Sequence, residues 1–212
     1  CLHAPTPYLP RDWPRAALPL EALEDESGRP VLQVVIAYNV YWPNHTALRL
    51  VDAAGRTLFW DPGGGYGKSD PLLVRHNDLI RENAPDLPRY LAYRWANNDQ
   101  AVEIFEWRLP AAEVQRLAAI LSAGAGRSAY TDTGFRTATP GFFCNAAISG
   151  FLYDYGQPVI TPGDAYFFPG LLSRELYRSR PDRVMILERE QRGSVLILMP
   201  RPVDPNLADR RG

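Results

Sequence analysis

Residues 31–40, VLQVVIAYNV, carry no charge and are rich in β-branched side chains. Such a run reads as a buried strand, and a buried strand commits the chain to a sheet. Its partners are legible further along. Residues 45–52 (HTALRLVD) and 56–61 (RTLFWD) flank Ala53-Ala54-Gly55 and read as a hairpin. Residues 91–95 and 101–109 (AVEIFEWRL) read as two further strands around Asn97-Asn98-Asp99, and residues 184–188 and 194–199 as a closing pair around 191–193.

Helices supply the cover. Residues 110–122 (PAAEVQRLAAILS) begin with Pro110 and place Val114, Leu117, Ala118 and Leu121 at helical spacing, with Gly124 and Gly126 beyond. Residues 142–152 (FFCNAAISGFL) have apolar residues three and four apart and follow Pro140-Gly141. Shorter helices are expected within 69–83, around LLVRHNDLIREN and ended by Asp86-Leu87-Pro88, and over 173–180. A β-rich first half, then helices, then two closing strands is α+β. The expectation is a twisted antiparallel sheet of about five strands, with the 142–152 helix packed on one face. Val35, Ala37, Leu48, Leu50, Leu58, Ile104, Leu117, Ile120, Ile148, Leu152 and Leu196 are its expected interior.

A domain over 31–199 has enough apolar residues for an ordinary core, since 46% of the chain is hydrophobic and 22% charged. Residues 1–30 are Pro-rich, then acidic, and read as a tether without strand periodicity; residues 200–212 read as a fraying tail. With 23 basic against 24 acidic residues, no global field favours nucleic acid. No apolar run approaches the ~20 residues that span a bilayer. Two cysteines, Cys1 and Cys144, do not make a disulfide scaffold. A chain beginning at Cys1 reads as a mature bacterial lipoprotein, the alternative being an arbitrary start. Leu2 rather than Asp then implies the outer membrane, facing the periplasm.

Residues 59–70, FWDPGGGYGKSD, resemble a phosphate-binding loop only in their glycines and the Gly67-Lys68-Ser69 ending. A P-loop needs glycine where Pro62 stands, and proline has no N–H to offer a phosphate. Nucleotide binding is not expected. Nor is a metal site, because three scattered histidines without a cysteine cluster offer no ligand spacing. No cofactor is expected.

His45 opens a strand where Val or Ile would be the ordinary filler; His3 and His76 lie in polar stretches and read as solvated. Cys144, after Pro140-Gly141 and before Asn145, reads as lying in the first turn of its helix, where exposed N–H groups favour thiolate. A lone cysteine is otherwise a small core residue. Folding the hairpin about 53–55 brings Asp61 within a residue or two of His45, and their even separation puts both on one face. Asp61 can then orient the imidazole. The glycines after it let the chain leave the strand without crowding the cleft.

His45-Thr-Ala-Leu-Arg-Leu, then Phe59-Trp60-Asp61-Pro62-Gly63, then Phe143-Cys144-Asn145-Ala146-Ala147-Ile148-Ser149, with Thr161-Pro162-Gly163-Asp164 after it, resembles the circularly permuted NlpC/P60 (papain-like) superfamily. The likeness covers residues 31–169 and rests on the order His, polar residue, Cys. It implies a permuted papain-like fold and a cysteine hydrolase with Cys144, His45 and Asp61 as its reacting set. The substrate implied is an amide bond of the cell envelope, peptidoglycan peptides foremost. Phe143 and Asn145 depart from the residues common beside the family's cysteine and leave the substrate class open. The competing readings are a lipid acyl-hydrolase or acyltransferase and an inactive envelope lipoprotein that binds a partner, held to the membrane by a lipid on Cys1. Tyr130, Trp42 and Phe143 are the expected substrate contacts, with residues 127–139 as the substrate wall.

Overall fold

The computed structural model of the chain describes residues 15–19, 23, 28–39, 44–71, 73–76, 78–82, 87–123, 143–156, 169–188 and 194–198. Cys1, Trp42, Tyr130, the 127–139 segment and the 200–212 tail lie outside them. So do the side chains of Phe143 and Leu196.

The strands are β1 Arg15–Pro19, β2 Val31–Asn39, β3 His45–Val51, β4 Thr57–Trp60, β5 Val74–His76, β6 Leu79–Glu82, β7 Asp99–Arg108, β8 Arg183–Glu188 and β9 Ser194–Leu198. The helices are α1 Leu87–Ala96, α2 Ala111–Ala123, α3 Phe143–Tyr155 and α4 Pro169–Arg178. All strands join one antiparallel sheet in the order β1-β9-β8-β7-β2-β3-β4-β6-β5. The α+β architecture expected from the element order is the one observed.

Every residue of β2 is buried. Its even-numbered side chains, Leu32, Val34, Ile36 and Tyr38, join Leu48, Trp60, Phe105 and Trp107 in a core shared with α2, α3 and α4. Its odd-numbered Val35 and Ala37 join Ala47, Phe59, Ile80, Val102 and Ile104 in a second core under α1. An uncharged run is therefore tolerable in β2 because both faces of the sheet are covered. Of the expected interior, Val35, Ala37, Leu48, Leu50, Leu58, Ile104, Leu117, Ile148 and Leu152 are buried, and Ile120 is partly so.

The structure corrects the element reading in four places. Among the described residues of 72–83 there is no helix; β5 and β6 pair antiparallel there, with Asp78 in the left-handed region at φ 64°. Residues 91–95 are not a strand but the body of α1, whose Leu87, Tyr90, Leu91 and Arg94 are buried at helical spacing. Pro88, read as a terminator, sits in the first turn, where a missing N–H costs nothing. Asn98, at φ 65°, ends that helix as its left-handed cap and is not the tip of a hairpin. The third correction is the strand count, nine among the described residues instead of about five. Lastly, the segment read as a tether contributes β1, paired with β9 from Arg15↔Leu198 to Pro19↔Ser194. Backbone pairing, which needs no apolar alternation, makes that strand.

Candidate active site

The site forms where three elements end together: the start of β3, the end of β4 and the first turn of α3. The β3–β4 ladder pairs Leu48 with Trp60. Continued one step, it sets Asp61 across from Ala47, two residues from His45. There the His45 Nε2 and the Asp61 Oδ1 meet in a short hydrogen bond. Asp61 is 1% exposed and the His45 side chain 12%, so the pair is shielded but the ring still reaches the surface.

Cys144 is the second residue of α3 and is partly exposed. The His45 ring lies close enough for each group to shift the other's titration, and its Nε2 is engaged by Asp61, leaving Nδ1 as the other ring nitrogen. The backbone N–H groups of Thr46 and Asn145 also favour the charged sulfur. Thr46 Oγ1 donates in turn to Asn145 Oδ1 at 3.2 Å, which ties the residue after the histidine to the residue after the cysteine. Further along, Trp60 and Phe151 stand edge to face with centroids 5.6 Å apart. This contact fixes the strand that ends at Asp61 against the helix that begins near Cys144, and is worth about 1 kcal/mol beyond its buried area.

Burial pushes the Cys144 thiol up, but His45 as a cation and as a hydrogen-bond donor, with the two backbone N–H groups, holds it below its ordinary value. Burial pushes the imidazolium down, and Cys144 and then Asp61 outweigh it, raising His45 to about 9. Each charged form thus favours the other, the condition for a thiolate–imidazolium pair beside the Asp61 carboxylate.

A polar frame holds the start of β3 in place. Asn44 Oδ1 accepts the Asn39 N–H at 2.9 Å, and Asn39 Nδ2 donates to Asp99 Oδ1 at 2.9 Å and to the Asn97 carbonyl at 2.8 Å. Asp99 pairs with Arg94 of α1, both buried. The β5–β6 turn supports Asp61, whose N–H donates to the Asp78 carbonyl at 3.0 Å.

The structure thus brings together Cys144, His45 and Asp61. His76 lies in β5, away from them in the strand order. The sequence reading missed the supporting residues Thr46, Asn44, Asn39, Asp99 and Asp78, whose roles come from pairings as distant as 99 residues. Among the described residues no cluster of His, Cys, Asp or Glu could hold a metal ion, and no helix is long and apolar enough to cross a membrane. Comparison of the chain with protein-family models, with curated proteins and with solved structures finds no match.

Proposed function

We propose that the protein is a cysteine hydrolase of the permuted papain-like type, acting on amide bonds, with peptidoglycan peptides as the substrate class. The observation that carries the reading is His45 hydrogen-bonded to Asp61 and set beside Cys144, with the sulfur at a helix start. The chain order His45, Asp61, Cys144 and the packing of α3 against β3 support the permuted arrangement.

In this mechanism the Cys144 thiolate adds to the substrate carbonyl and forms a tetrahedral oxyanion. Backbone N–H groups of the α3 first turn donate to it. His45 Nδ1 gives its proton to the leaving amine as the carbon–nitrogen bond breaks, leaving a thioester on Cys144. Neutral His45 then takes a proton from water, the hydroxide equivalent attacks the thioester, and the proton returns to the pair as acid and thiolate leave. Asp61 keeps the ring oriented throughout and stabilises its charged form.

The test is incubation of the purified protein with muropeptides and, separately, with phospholipids, read by mass spectrometry. Amide cleavage that disappears in Cys144→Ala is the expected result. Deacylation of lipids with intact muropeptides would replace the amide reading by the acyl-hydrolase one. Inertness on both, with a thiol that does not alkylate, would leave no enzyme to describe.

A further inference from the structure

We propose that Gly64 is the positioning residue for Asp61: its missing side chain is the space in which the Asp61 carboxylate stands while it holds His45. The inference rests on the reading of Cys144, His45 and Asp61 as the reacting set.

The glycines after Asp61 are there for different physical reasons. Gly63 and Gly67 adopt left-handed backbone, at φ 68° and 75°, where an L side chain is strained. Gly64 does not, so its backbone would accept alanine. Space is what excludes a side chain at Gly64. A Cβ built on Gly64 falls on Oδ1, Oδ2 and Cγ of Asp61 at once. At Gly65 the corresponding atom would lie 2.6 Å from the Tyr93 hydroxyl and meets no atom of Asp61.

The turn has little freedom to relieve that overlap. Gly64 N–H donates to the Asp61 carbonyl at 3.0 Å, Asp61 N–H to the Asp78 carbonyl at 3.0 Å, and Gly63 N–H to Asp78 Oδ2 at 3.2 Å. Phe59, Tyr66 and Tyr90 pack at centroid distances of 4.6 to 5.9 Å beside the strand end. The group able to move is the carboxylate, on two side-chain torsions, and moving it breaks the bond to His45. A methyl at Gly64 should therefore displace the Asp61 carboxylate before it damages the fold.

The measurement is the titration of the His45 ring by NMR, which does not depend on turnover. Wild type should titrate near 9. Gly64→Ala should fall by about one pH unit, in the direction of Asp61→Asn, because an imidazolium that loses its carboxylate partner releases its proton sooner. Gly65→Ala should titrate like wild type. A ring unchanged in Gly64→Ala but shifted in Asp61→Asn overturns the proposal and leaves the hydrolase reading standing. The predicted shift in a protein inert on every substrate sinks the hydrolase reading alone. Unfolding completes the test: the fall in midpoint caused by Gly64→Ala should vanish in an Asp61→Ala background. Equal damage in both backgrounds, including failure of both to fold, overturns the proposal. Folding rescued by Asp61→Ala supports it.

Discussion

At the scale of single residues, the proposed reacting set should behave as one charged object with opposing pH limits. His45, raised to about 9, contributes stability that is present below the unfolded histidine value and is lost as pH rises through 9. Cys144, held below the ordinary thiol value, contributes stability above that value that is lost as pH falls through its lowered one. The paired form therefore dominates from the lowered thiol value up to about 9, and hydrolysis should follow a bell whose upper limb lies there. Iodoacetamide should label Cys144 well below the ~8.5 of a free thiol, and labelling should slow in His45→Ala; a thiol that titrates as a free one contradicts the pair. Cys144→Ala and His45→Ala should each lower turnover on the order of 10³-fold or more, and the double variant little further, because the two act as a unit. Asp61→Asn should lose less than either, since orientation is its share.

At the scale of elements, α4 is fastened to the sheet by a buried carboxylate that accepts from three hydroxyls. Glu103 of β7 accepts from Tyr38 Oη at 2.8 Å, Ser173 Oγ at 2.7 Å and Tyr177 Oη at 2.8 Å. Burial pushes Glu103 up and the three hydroxyls pull it part of the way back, leaving it at about 7. A folded state that holds this proton more tightly than the unfolded chain loses stability as pH rises from the usual carboxylate range through about 7. The loss is at most about 3 kcal/mol. Glu103→Gln removes the titration. Its midpoint in thermal unfolding should gain on wild type between pH 5 and pH 8, and a constant difference across that range would refute the assignment. The cysteine helix adds apolar packing to its Thr46–Asn145 tie, with Phe151 against Trp60. Phe151→Ala should cost about 3–5 kcal/mol in chemical unfolding and loosen Trp60, the neighbour of Asp61.

Across the whole molecule, one register row crosses four strands beneath the α1 side of the sheet. Arg49 Nη1 donates to Gln33 Oε1 at 2.8 Å, Gln33 Nε2 to Glu106 Oε1 at 2.7 Å, and Arg183 reaches both Glu106 oxygens at 3.0 Å. Removing Glu106 takes the buried carboxylate from Arg183 and the acceptor from Gln33, so Glu106→Ala should cost about 3–5 kcal/mol in urea unfolding. Arg116→Ala, which breaks a surface pair with Glu113, should cost under about 1 kcal/mol. That contrast marks what a sequence conveys. Periodicity and local turn chemistry determined β2, the β3–β4 hairpin, α2, α3 and the placing of Cys144 in a first helical turn, because those signals act within a few residues. The even spacing of His45 and Asp61 likewise determined their shared face once the hairpin was granted. Residues 72–83 and 91–95 were misread because short apolar runs fit either period, and only docking against β4 and β7 chose a hairpin for one and a helix for the other. The β1–β9 pairing, the row from Arg49 to Arg183 and the seat that Gly64 leaves for Asp61 join groups through space, not along the chain. Tertiary structure alone decided them, because which backbone edge is open and which side chain stands against which glycine are facts of packing.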